Sequence, residues 1–238
     1  MTTIPATGTT ASRNTSQLDF RSWSPGTASL ISGLGLVAMV VLMTAGYFGA
    51  VVPLITPGDA AKTAQDITQS GPVYLAGVGC IFLVVLLDVV VSAAWYALFR
   101  GVNRHLSAAA AWLRATYSGL LAVAAAQLAY AFTLLENPGQ ALHAIESFRA
   151  IWLISLGLFG LHLLLIGYLE LRSTFVPKVF GVLLLISGAG YIVDALGVIF
   201  MAGFTPVYAL FAIIGETSFI FWLLIKGRRL PLRRGALR

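Results

Sequence analysis

The stretch VYLAGVGCIFLVVLLDVVVSAAWYALF, residues 73–99, holds a single charged side chain, Asp88, in 27 positions. A run this long and apolar exceeds the roughly 20 residues that a helix needs to cross about 30 Å of hydrocarbon. A water-soluble domain of ordinary size rarely buries such a run on all sides. Five further segments share its character, near Ser29–Val51, Ala108–Leu135, Phe148–Leu171, Pro177–Phe200 and Val207–Ile225. The expected fold is therefore all-α, a polytopic integral membrane bundle of six transmembrane helices. Composition agrees: 58% of the 238 residues are hydrophobic and 10% charged, against about 25% charged in soluble domains.

Prolines mark the segment ends. Pro25, Pro53, Pro57, Pro72, Pro138, Pro177 and Pro206 all lie at or beyond a boundary, and none interrupts a span. A proline is tolerated there because the first helical turn has no intrahelical use for its missing N–H.

Residues 1–27 are rich in Thr, Ser, Ala and Gly, and read as a disordered cytoplasmic tail. The first apolar run comes late and is too long for a signal peptide. Residues 28–226 form the transmembrane domain, and 227–238 a basic cytoplasmic tail, GRRLPLRRGALR after Lys226.

Basic residues set the orientation. With both termini inside, Arg13, Arg21, Arg100, Arg104, Arg172, Lys178 and the tail from Lys226 onward are cytoplasmic, and only Lys62 and Arg149 are outside. That asymmetry is the positive-inside pattern. It predicts N-in/C-in topology in a bacterial inner membrane, with Trp95, Trp112 and Trp222 at the inner interface and Trp152 at the outer one. The net charge of +6 thus reads as topology, plus contact between the tail and anionic lipid headgroups. A nucleic-acid role is not expected, because no basic fold presents the charges. Homo- or hetero-oligomers in the membrane are compatible with the sequence.

Five ionisable residues fall inside the spans: Asp88, Arg114, His162, Asp194 and Glu216. Each costs about 2.5–3.5 kcal/mol at a bilayer centre on insertion scales, so such residues pair, line a cavity or serve a site. At about 1.5 Å per residue from the cytoplasmic ends, Arg114 lies about 10 Å deep, His162 about 13 Å, Glu216 about 15 Å and Asp88 about 17 Å. Four spans thus contribute to one polar layer. Asp88 is the natural ion partner of Arg114, since a short loop makes their spans neighbours. Glu216 and His162 are then available for a second pair of the kind used in proton relays. Asp194 sits toward the outer leaflet, on one helix face with Ser187 and Tyr191.

Other chemistries are less well supported. His162, Asp88 and Glu216 could offer a nitrogen and two carboxylates to a metal, but no HExxH or second histidine at helical spacing accompanies them. His105 and His143 fall in loops on opposite sides, and no metal or other cofactor is expected. The lone Cys80 excludes an internal disulfide. Ser155 lies two turns before His162, about 10 Å away along the helix, too far for direct proton transfer. Ser92 is expected on a backbone carbonyl. Small residues, among them Ala45 with Gly49, Gly46 with Ala50, and Ser187–Gly190, allow helices to approach closely. A faint echo, Pro72-Val73-Tyr74 against Pro206-Val207-Tyr208, would suit a three-plus-three inverted repeat.

The text FGLHLLLIGYLELRSTFVPKVFGVLLLISGAGYIVD at 159–194 and GETSFIFWLLIKG at 215–227 resembles a bacterial six-span family, domain of unknown function 4386. The spacing of Asp88 and Arg114 across a short loop is similar to that family too. The resemblance covers roughly residues 28–227 and makes His162, Pro177, Gly190, Tyr191 and Glu216 family-like positions. It implies a six-helix inner-membrane protein and no particular activity.

Three functions fit these residues. One is a small transporter or proton-linked membrane protein using Asp88, Arg114, His162 and Glu216. Another is a membrane-embedded enzyme on a lipid-like substrate, with His162 and Glu216 as acid and base. The third is a non-catalytic accessory or sensor subunit whose polar layer only fixes helix packing.

Overall fold

A computed structural model describes residues 23–207 and 216–230. The two tails, 1–22 and 231–238, and the first part of the expected sixth span, 208–215, lie outside the described residues. The helices are α1 (Pro25–Leu42), α2 (Ala60–Gln69), α3 (Gly71–Phe99), α4 (Arg104–Thr133), α5 (Pro138–Arg172), α6 (Lys178–Phe200) and α7 (Ser218–Ile225). No strand occurs among the described residues.

Among the described residues, five helices are long and apolar enough to cross a membrane: Pro25–Leu54, Gly71–Phe99, Arg104–Thr133, Pro138–Arg172 and Lys178–Phe200. The first begins at the cap Ser24, whose hydroxyl accepts from Thr27 N at 3.0 Å, with Pro25 at its first position. Beyond Leu42 it continues as a π-helix, Met43–Val51, and a 3₁₀ turn, Val52–Leu54. Wider turns of this kind often sit beside functional sites.

The helices form a ring. α1 packs on α3 and α7, α3 on α4, α4 on α5, and α5 on α6. The ring closes through Phe180 of α6, whose side chain meets Phe219 and Trp222 of α7 with centroids 5.8 and 6.3 Å away. On α3 the inner face carries Val84, Asp88, Val91 and Trp95, all buried, while Leu83, Leu86 and Val90 face outward and are exposed. Such an inverted exterior suits lipid and would be an aggregation liability in water. These apolar helices mark the chain as a membrane protein.

Several local expectations need correction. α5 starts at Pro138, ten residues before Phe148, so His143 is helical, as is His105 in the first turn of α4. The sequence PGQALHAIES is polar, which hid the helix from a hydropathy reading. The segment between the first two spans is not all loop. It contains α2, capped by Asp59 Oδ1 accepting from Lys62 N at 2.9 Å, and α2 packs against α5 through a face that buries Thr63, Ala64 and Ile67. The tryptophan belt is also not as expected. Trp95, Trp152 and Trp222 are buried inside the bundle and only Trp112 is exposed.

Candidate functional site: a polar layer at the end of a central cavity

The α3–α4 pair positions the first half of the layer. The two helices are joined by a turn of only four residues, Arg100–Asn103, and are stitched in one antiparallel register by hydroxyls. Tyr74 Oη donates to Leu128 O (2.9 Å), Ser118 Oγ to Val85 O (2.9 Å), Ser92 Oγ to Ala111 O (2.7 Å) and Ser107 Oγ to Tyr96 O (3.1 Å). That register brings Arg114 level with Asp88. Nε and Nη2 of the arginine donate to Asp88 Oδ1 at 2.7 and 2.6 Å. Both residues are buried, and the second carboxylate oxygen, Asp88 Oδ2, has no hydrogen-bond partner among the described residues.

The third nitrogen of the arginine, Nη1, lies 3.4 Å from His162 Nε2 on α5. His162 Nδ1 is 2.8 Å from the Ala110 carbonyl. A carbonyl only accepts and a guanidinium only donates, so Nδ1 carries the proton and the Nε2 lone pair faces Arg114. Trp95 and Phe159 both lie 5.2 Å from the guanidinium carbon. The same two rings stack on His162 at 5.1 and 5.7 Å. Cation–π contacts in a dry site are worth about 2 kcal/mol each, so Arg114 is held by charge, lone pair and rings together.

Glu216 takes a different partner. Its Oε1 accepts from Tyr191 Oη of α6 at 2.8 Å. The expected His162–Glu216 pair is therefore absent, because each side chain is satisfied by a neighbour on another helix. Tyr191 belongs with Glu216 in the layer rather than with Asp194 in an outer one. Asp194 Oδ2 instead accepts from Val207 N at 2.8 Å, holding the segment that follows α6. One helical turn separates the two environments.

Between the helices lies a cavity of about 460 Å³ that reaches Asp88, Arg114, Tyr191 and Glu216. Its remaining walls are mostly apolar, from Leu36, Met39 and Met43 on one side to Leu121, Leu156 and Ile220 on others. His162 is not among its lining residues. Tyr117, Trp152 and Phe159 add an aromatic wall. Trp152 Nε1 donates to Tyr117 Oη at 3.4 Å, and the Tyr117 and Phe159 rings sit 4.9 Å apart. The sequence pointed to interfaces for Trp95 and Trp152 and to no role for Tyr117 and Phe159, although a signal existed. Trp95 follows Asp88 by two turns, and Phe159 precedes His162 by less than one, so they share the faces of the charged residues.

His162 and Ser155 are engaged within the bundle rather than facing the cavity. Both nitrogens of His162 are engaged, and the residue is fully buried away from the cavity. Ser155 Oγ donates to Trp152 O at 2.7 Å, so it is no nucleophile for His162. Among the described residues, no three of His, Cys, Asp and Glu converge as a metal site would require.

No solved structure matches the chain. An uncharacterized protein of Archaeoglobus fulgidus is 33% identical over 150 residues, which span 63% of this chain and 83% of that protein. Residues 31–227 match the family described as Domain of unknown function (DUF4386), and the chain belongs to that family.

Proposed function

We propose that this protein is a membrane-embedded binding protein of the transporter class, which admits a small molecule to the central cavity and holds it against the layer formed by Asp88, Arg114, Tyr191 and Glu216. The observation that carries the reading is a cavity of about 460 Å³ lined by Asp88, a buried carboxylate whose Oδ2 has no hydrogen-bond partner among the described residues. A layer serving only to staple helices gains nothing from a cavity beside a carboxylate with an unsatisfied oxygen, because each such group costs about 1–3 kcal/mol. Ligand pockets of about 300–1,000 Å³ with a few convergent polar groups are the usual form of small-molecule sites.

The topology that goes with this reading has six spans, the last over 207–225, with both termini in the cytoplasm of a cell whose inner membrane holds the protein. The basic residues support it through their one-sided distribution. Arg228 and Arg229, in the 3₁₀ turn after α7, begin the tail that would meet anionic headgroups.

Cysteine accessibility tests the cavity. In a Cys80→Ser background, Thr44→Cys and Thr217→Cys place a thiol on its wall, and Leu128→Cys places one in the packed interior. A small charged methanethiosulfonate applied to membranes should label the first two and leave the third untouched. Equal protection of all three would mean a sealed bundle and would overturn the reading.

A further inference from the structure

The cavity contains three charged residues among its described lining, and they are not equally available. Arg114 is largely engaged: each of its three nitrogens donates one N–H of the five that the group carries, to Asp88 or to His162, and rings contact its guanidinium. Its side chain is only 1% exposed. Asp88 is as deeply buried as the arginine, and the carboxylates differ from it in how much of their bonding capacity is used. Asp88 Oδ2 is buried and receives no hydrogen bond from the described residues, and Glu216 is only half-buried, with Tyr191 as its hydroxyl donor. Two carboxylates against one engaged guanidinium leave the polar end rich in acceptors. Its complement is a positively charged or donor-rich group.

The rest of the wall narrows the chemistry. Tyr117, Trp152, Phe159 and Tyr191 line the same space, and aromatic faces attract cations that have shed their water. The aliphatic remainder excludes a hydrated inorganic ion, which would keep a shell that these walls cannot replace. The side toward α1 is open as well. Val40 and Phe48 both line the cavity and are 54% and 49% exposed, so the cavity communicates with the apolar exterior of the bundle.

We propose that the cavity binds a lipophilic organic cation, its charged centre against Asp88 and Glu216 within the aromatic wall and its apolar groups toward α1. This rests on the cavity being a ligand site, and adds the charge and class of the ligand.

Two probes of nearly equal shape and opposite charge separate the possibilities: tetraphenylphosphonium and tetraphenylborate. Binding to the purified full-length protein in detergent is followed by equilibrium dialysis, with intrinsic tryptophan fluorescence as a second readout. The expected result is saturable binding of one phosphonium per chain and at least about tenfold weaker binding of the borate, a preference equal to one factor of ten in the equilibrium constant. Glu216→Gln, which keeps shape and leaves the buried Asp88–Arg114 pair intact, should weaken phosphonium binding about tenfold or more. Val193→Ala on the exposed face of α6 should not change it.

Equal or tighter binding of the borate overturns the proposal. So does a folded Glu216→Gln protein that binds the phosphonium unchanged. If neither ion binds while Thr217→Cys is labelled, the cation inference fails and the cavity reading stands. If neither binds and no wall cysteine reacts, both fail.

Discussion

The α3–α4 seam and the α5–α6 seam solve the same problem by different means. Both join antiparallel helices in a medium where apolar surface gains little by leaving lipid. Along α3–α4, four hydroxyls reach across to carbonyls, and the Asp88–Arg114 pair sits in the same register. Along α5–α6, glycine faces glycine. A Cβ at Gly160 would stand 2.6 Å from Gly188 O and one at Gly188 equally close to Gly160 O. One heptad away, Gly167 and Gly181 repeat the arrangement at 2.8 Å in both directions. One seam is held by directional bonds and fixes which residues are level. The other is held by close approach and fixes how near the backbones come. Tyr191, three residues past Gly188, and Phe159, beside Gly160, are delivered to the cavity by that second seam, while Asp88 and Arg114 are delivered by the first.

If the ion pair is the centre of the polar seam, Arg114→Met should be the most damaging single change. It leaves Asp88 charged and buried with no partner, at a cost of about 3–5 kcal/mol. Thermal or denaturant unfolding in detergent should show it, and Asp88→Asn added to Arg114→Met should recover a large part. If the glycine seam depends on contact, Gly188→Leu should cost about 1–3 kcal/mol through overpacking. The same measurement on Gly79→Ala supplies the contrast, because no atom lies within 4 Å of a Cβ there. That variant should gain about 0.4–1 kcal/mol from helix propensity and a less flexible unfolded chain. A Gly188→Leu protein as stable as the parent would mean that glycine is incidental to the seam. The smallest effect is expected from one rung of the hydroxyl ladder. Ser118→Ala removes a single bond to Val85 O and should cost about 0.6 kcal/mol, the average for interhelical hydrogen bonds in a membrane protein. A loss as large as that of Arg114→Met would place the strength of the polar seam in the ladder instead.

The candidate site was legible in part. Asp88 and Arg114 could be paired from the sequence because a short turn makes α3 and α4 neighbours. Tyr191 and Asp194 were grouped because they share a face, yet their partners come from segments far along the chain. His162 and Glu216 were matched by depth alone, and depth does not say which way a side chain leaves its helix. Trp95 and Trp152 were assigned to an interface by their position near segment ends. Packing draws them inward, where Arg114, His162 and Tyr117 offer ring and hydrogen-bond contacts that lipid does not.

Apolar runs bounded by prolines, with basic residues on one side, determined a membrane protein built of helices and named the charged residues to watch. Helix length and transfer cost are local properties, so the sequence carries them without further help. Only the tertiary structure decided that Arg114 is engaged by Asp88 and His162, that Glu216 goes to Tyr191, and that a cavity lined by Asp88, with its unsatisfied Oδ2, lies between them. Those outcomes depend on the rotation and separation of neighbouring helices, which glycine contacts and hydroxyl bonds set jointly across the whole bundle.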